Sequence, residues 1–237
     1  MTKTHFINIF RALSTFAFDA EMQYTAGVMG YDIALEQAIQ EMKGVDPHAV
    51  ASKSGAEYDK GQFKLPFFNR TFIIHFPEIR VEEFAVASLP PQWLQVLLLH
   101  YLLRAKGIPV ADEWIAYRNL PGAYIFERRF ISMAITPLQH AFGDDVESFR
   151  KAGLALGGTP MTRTGDAAFR FLAFPKIPVA CIFYLGEEEM PSRINMLFDA
   201  AAHIYLHTED LSLVGTYLST ALQKSKSPPV IPPEPFG

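Results

Sequence analysis

Ala167-Ala-Phe-Arg-Phe-Leu-Ala-Phe174 and Ile177-Pro-Val-Ala-Cys-Ile-Phe-Tyr-Leu185, separated only by Pro175-Lys176, decide the class of the fold. Both runs are rich in aromatic or β-branched residues, and a break of two residues between them is long enough only to turn the chain back on itself. A second hairpin is predicted upstream, where Gln62-Phe-Lys-Leu-Pro-Phe67 and Thr71-Phe-Ile-Ile-His-Phe76 flank Phe68-Asn69-Arg70, with a third extended piece from Ile79 to Glu83. Parallel pairing would need crossovers of a dozen or more residues between successive strands. Strands that arrive in hairpins therefore predict a largely antiparallel sheet covered by helices, and the class is α+β.

Helices are expected between and around these hairpins. Tyr31 to Met42 places Ile33, Ala34, Ala38 and Ile39 on one stripe and stops at Gly44. A short helix follows, with Asp46 as its cap and Pro47 at its first position. Leu89-Pro-Pro-Gln-Trp-Leu-Gln-Val-Leu-Leu-Leu-His-Tyr-Leu-Leu-Arg-Ala-Lys-Gly107 is apolar all round, which predicts burial on several sides. Trp114 to Tyr117 reads as a strand, and helix resumes through Phe130, His140 and Phe149 to a break at Gly157-Gly158. The last helix begins at Thr208 and aligns Leu211, Val214, Leu218 and Leu222. The two hairpins share a layout, because one is followed by Leu99-His-Tyr-Leu102 and the other by Ala202-His-Ile-Tyr-Leu206. Residues 1–224 are read as one globular domain with a helical N-terminal part over about 1–55. Residues 225–237, with five of the 17 prolines, are read as a disordered extended tail.

The 237 residues are 49% apolar and 19% charged, below the roughly 25% charged residues of an average soluble domain. A chain this long hides about 70% of its unfolded surface, enough for one sizeable core without metal or disulfide. A net charge of -4 and the lack of a Lys/Arg run argue against nucleic acid as a partner. No apolar stretch reaches the ~20 residues that span a bilayer, since Trp93 to Leu103 is interrupted by Gln95, His100 and Tyr101. Asn8 and Arg11 break the apolar core a secretory leader would need, so a cytoplasmic location is expected. The single cysteine, Cys181, leaves no intramolecular disulfide and no self-contained iron-sulfur or four-cysteine zinc site. Dinucleotide, P-loop, nucleophile-elbow and His-Glu-x-x-His patterns do not occur.

Five segments follow one another in the second half: Gly165-Asp-Ala-Ala-Phe169, Phe174-Pro-Lys-Ile-Pro-Val179, Gly186-Glu-Glu-Glu-Met-Pro191, Leu197-Phe-Asp199, and Tyr205-Leu206 with Thr208-Glu-Asp210. Together with Leu98-Leu-His-Tyr-Leu102, Trp114 and Leu120-Pro-Gly122, the order over about 45–224 resembles the family called domain of unknown function 3786. The resemblance implies a source among anaerobic bacteria and archaea and assigns no activity. Some relatives carry a cysteine-rich cluster-binding segment, which this chain lacks, so the resemblance implies no cluster here.

The candidate site residues come from the residues themselves. His100, inside the buried helix, must find a carboxylate or carbonyl partner, and with Tyr101 and Arg128 it forms the candidate ligand-binding set. Asp199, His203 and His207 at spacings of four would share a helix face, while Glu187-Glu188-Glu189 is a turn of carboxylates that must be solvated or neutralised. Asp166, Glu187, Glu188, Glu189, Asp199 and His203 are therefore the candidate metal set, and oxygen ligands would favour magnesium or calcium. Cys181, in an apolar strand, is expected to be inert.

The preferred function is binding of an unidentified small molecule or protein without catalysis. Twenty Phe, nine Tyr and two Trp can line a cavity, and a planar tetrapyrrole would suit one lined by His100 or Tyr101. The alternatives are a metal-assisted enzyme built on the acidic loop and a homo-oligomeric assembly element clasped by the tail.

Overall fold

A computed structural model of the protein describes residues 31–226. The leader reading, the helical reading before Tyr31 and the proline-rich tail beyond Lys226 lie outside the described residues. The described residues form two antiparallel sheets with helices packed around them. The first contains β1 (Glu57–Asp59), β2 (Gln62–Phe67), β3 (Arg70–His75) and β4 (Arg80–Glu83) in sequential order. The second contains β5 (Trp114–Ala116), β6 (Thr159–Pro160), β7 (Ala167–Phe174), β8 (Ile177–Tyr184) and β9 (Arg193–Asp199), ordered β5-β9-β8-β7-β6.

Both expected hairpins form, with Phe67 opposite Arg70 and Phe174 opposite Ile177. β2 buries Phe63, Leu65 and Phe67 and exposes Gln62, Lys64 and Pro66, as period-two alternation requires of a sheet with one solvated face. β8 is buried from Ile177 to Phe183 because it lies between β7 and β9 and is covered on both faces. The hairpin tip of the first sheet ties the two sheets together, the Phe68 N–H donating to the Ala173 carbonyl at 3.0 Å. A buried bidentate pair closes β3 against β4, with Arg70 Nε donating to Glu83 Oε1 at 3.1 Å and Nη2 to Oε2 at 2.8 Å.

The helices are α1 (Tyr31–Lys43), α2 (Pro47–Ser54), α3 (Gln92–Arg104), α4 (Glu127–Phe130), α5 (Thr136–Phe142), α6 (Val146–Ala155), α7 (Ala202–Tyr205) and α8 (Thr208–Lys226), with a π turn over Ile131–Ile135 between α4 and α5. Asp46 caps α2 by accepting from the His48 N–H at 3.0 Å, and Gly55 ends it in the left-handed region. α1 packs Ala38 and Ile39 of its expected stripe against the core but leaves the Ile33 end of that stripe outside. Ile33 is 75% exposed, while Ala38 and Met42 are buried with Tyr31, Leu35 and Ile39 against them. α8 is buried almost all round, beyond its Leu211/Leu222 face. Its polar residues tolerate this because they serve their own helix, as when the Thr216 hydroxyl donates to the Ser212 carbonyl at 2.9 Å.

One expectation is overturned. Asp199, His203 and His207 do not share a helix face, since Asp199 ends strand β9, His203 lies in the four-residue α7, and Leu206 is extended before α8 begins at Thr208. A spacing of four brings side chains together only on unbroken helix. The alternation Ile194, Met196, Phe198 buried against Arg193 and Asn195 exposed belongs to a strand instead. Among the described residues no helix is long and apolar enough to cross a membrane.

Candidate functional site

β6 is only two residues long and covers β7 at Phe169 and Arg170 alone. The next cover along the outer edge of β7 is the hairpin tip at Ala173. Between them lies a cavity of about 280 Å³ lined by Phe68, Asn69, Leu156, Gly157, Thr159, Arg170, Phe171 and Leu172. Its floor is Phe171, 3% exposed, whose ring passes against the turn after α6. A Cβ on Gly158 would sit 2.6 Å from Phe171 Cε1, so only glycine lets the ring take that place. The pairing of β7 with β8 shifts register between Leu172 and Phe174, next to the cavity.

Phe68 forms the opposite wall under constraint. Its φ is +51°, a left-handed conformation that bulky residues rarely adopt, in a turn where glycine is the usual occupant. The surroundings hold it there, with its ring stacked on Tyr217 at 5.1 Å and edge-on to Phe67 at 5.0 Å. Strain of this kind persists only where packing over-determines it and clusters at binding sites.

The polar groups of the cleft are the Asn69 amide, the Thr159 hydroxyl and the half-buried Arg170 guanidinium. Arg170 is the single charged residue in the strand Ala167–Phe174. That was the available sequence signal, since a cation amid apolar strand residues needs a reason, but composition cannot tell whether an acid elsewhere in the chain pairs with it.

The model of the family described as Domain of unknown function (DUF3786) matches residues 46–221. The chain belongs to this family. No curated protein and no solved structure matches the chain. The matched part of the DUF3786 domain starts at the Asp46 cap of α2, ends within α8 and includes the whole cleft.

Elsewhere in the DUF3786 domain, His100 has the carboxylate partner its helix demands, with Nδ1 3.0 Å from Asp210 Oδ2 in the first turn of α8. The helix is not closed around it, because 30% of the His100 side chain remains exposed. The hydrogen bond to Asp210 raises its pKa above the ordinary value, opposed by partial burial and by Arg104 and aided by Glu41. A raised folded pKa means the pair contributes fully below the unfolded value of about 6.5 and is lost as pH rises through the folded value. Urea midpoints are therefore expected to fall with rising pH from that point, and His100→Gln is expected to remove this component of the slope. An unchanged slope in His100→Gln would show that the pair does not tie α3 to α8.

Tyr101, the next residue, points the other way and is fully buried. Its hydroxyl donates to the Ser54 carbonyl at 2.6 Å and accepts from the Lys176 N–H at 3.2 Å. Arg128 is exposed on α4. These three candidates line no part of the cleft.

The candidate metal residues are likewise dispersed. Asp199 is 1% exposed and accepts from the N–H groups of Ala111, Asp112 and Ala201 at 3.0, 2.9 and 2.9 Å. Asp166 accepts from the Leu185 N–H at 2.7 Å, and His203 Nδ1 lies 2.8 Å from the Ala200 carbonyl. Glu187, Glu188 and Glu189 line an open pocket of about 330 Å³ with Asp144, on a tight turn in which Glu187 and Met190 exchange backbone hydrogen bonds. Among the described residues no group of three or more His, Cys, Asp or Glu is placed to hold a metal ion. Cys181 is buried, which pushes its thiol up to about 12 and leaves no thiolate at neutral pH.

Proposed function

We propose that this DUF3786 domain is a non-catalytic small-ligand-binding protein whose site is the cleft on the outer edge of β7. The observation that carries the reading is the cavity itself, whose lining combines Phe68 and Phe171 with a guanidinium that has no hydrogen-bond or ion-pair partner among the described residues. Sites of this kind are concave, mostly apolar and oriented by a few polar groups. The volume of about 280 Å³ lies at the lower limit of the roughly 300 to 1,000 Å³ usual for ligand sites, which suits one ring and leaves no room for a tetrapyrrole.

A metal-assisted enzyme has weaker support, because Asp199, Asp166 and His203 are already engaged by the chain's own backbone. A fragment screen followed by backbone amide shifts tests the ligand reading. Bound fragments are expected to move resonances of residues 68–69, 156–159 and 170–172. Thr159→Trp, an exposed edge-strand position that tolerates a large aromatic, is expected to block the cleft and abolish those shifts. A broad screen that moves none of these resonances overturns the proposal.

A further inference from the structure

We infer that the occupant of the cleft is a monoanionic organic acid, a carboxylate carried on a single ring or an apolar body of that size. This rests on the ligand-binding reading above and adds the chemical class. Arg170 is half-buried, and among the described residues its side chain makes no hydrogen bond and no ion pair. A guanidinium cannot shed its charge, and burying it without a partner is costly, so its natural complement is an oxyanion held by two parallel N–H donors.

The lining sets the charge of that anion. Among the described residues it contains no lysine, no second arginine and no acid, so it offers a single positive charge. A dianion such as a phosphate monoester would bring a second negative charge into a half-buried site without compensation. The Asn69 amide and the Thr159 hydroxyl can donate to carboxylate lone pairs that the guanidinium does not reach.

Phe68, Phe171, Leu156 and Leu172 set the body of the ligand, since they leave the remaining surface apolar. The volume of about 280 Å³ exceeds the roughly 150 Å³ of an apolar cavity that admits benzene, and the difference accommodates a carboxylate and its donors. The walls are already in place, because Phe68 is held by Tyr217 and by its bond to Ala173, so a ligand need not order them.

The test titrates the full chain with benzoate, benzamide, phenyl phosphate and inorganic phosphate, followed by amide shifts at residues 68–69, 156–159 and 170–172. Benzoate is expected to bind saturably. Benzamide, and benzoate against Arg170→Gln, are expected to bind roughly tenfold or more weakly, the loss typical of a charge-assisted pair. Arg170→Lys should fall between, keeping the charge and losing the fork. Amide spectra of the variants confirm that they fold.

If benzamide binds as tightly as benzoate, or Arg170→Gln binds benzoate unchanged, the assignment of an acid fails while the cleft remains a ligand site. If phenyl phosphate outbinds benzoate, the monoanion assignment fails. If inorganic phosphate matches benzoate, the apolar body fails. If no probe binds and the wider fragment screen is also silent in the cleft, the ligand-binding reading fails with it.

Discussion

Asp199→Ala is expected to lower the stability of the domain by about 4 kcal/mol, since three N–H groups would lose a charged acceptor and each such bond contributes roughly 1.5 to 3 kcal/mol with incomplete additivity. The carboxylate is 1% exposed and pins three places at once. Ala111 and Asp112 bring in the segment leading to β5, and Ala201 starts the turn into α7. Asp199→Asn preserves the shape and one acceptor oxygen but turns an NH₂ toward an N–H donor, so an intermediate loss is expected. Urea unfolding of the three proteins measures the series. A full-strength Asp199→Ala would mean that the carboxylate is not structural and would restore it as a candidate ligand for a metal.

Tyr101→Ala is expected to cost about 3 to 5 kcal/mol, the range for removing a large aromatic from a packed core. Its ring is stacked on Phe174 at 4.2 Å and 11° and lies 5.8 Å from the ring of Tyr205. Its hydroxyl joins the end of α2 to the β7–β8 turn through Ser54 and Lys176. Tyr101→Phe isolates the hydroxyl and should cost roughly 1 to 2 kcal/mol, because the Ser54 carbonyl and the Lys176 N–H lose a buried partner. Thermal or urea denaturation separates the two variants. Benzoate binding in the cleft should be unchanged in Tyr101→Phe, and a large loss of that binding would show that the residue reaches the ligand site.

Asp199 and Tyr101 illustrate how far side-chain chemistry can be read without coordinates. Each is the kind of residue that could face a ligand, and each has its polar atoms taken by backbone groups from distant segments. Asp199 meets residues 87 and 88 positions away, and Tyr101 meets Ser54 across 47 and Lys176 across 75. No local pattern records such pairings. His100 was more legible, because an imidazole in a largely apolar helix calls for a polar partner once that helix packs, although the identity of Asp210 was not legible.

Local chemistry alone determined the hairpins, the caps and the class. The two-residue connection at Pro175-Lys176 and the Phe68-Asn69 tip leave neighbouring strands no arrangement except antiparallel pairing. Asp46, Pro47 and Gly55 bound α2 through bonds that span only a few residues. β9 was hidden by a competing period, since the fourfold spacing of Asp199, His203 and His207 suggests a helix while Arg193 to Phe198 alternates as a strand. Burial on the second sheet, and not propensity, selects the strand.

Only the tertiary structure decided where a ligand could sit. The cleft takes its residues from 68–69, 156–159 and 170–172, and it exists because β6 is too short to cover β7 up to the hairpin tip. Arg170 stands in plain view in the sequence as a cation in an apolar strand. Whether it pairs with an acid or waits for one depends on which of the 25 carboxylates the fold brings near it, and among the described residues none forms an ion pair with it.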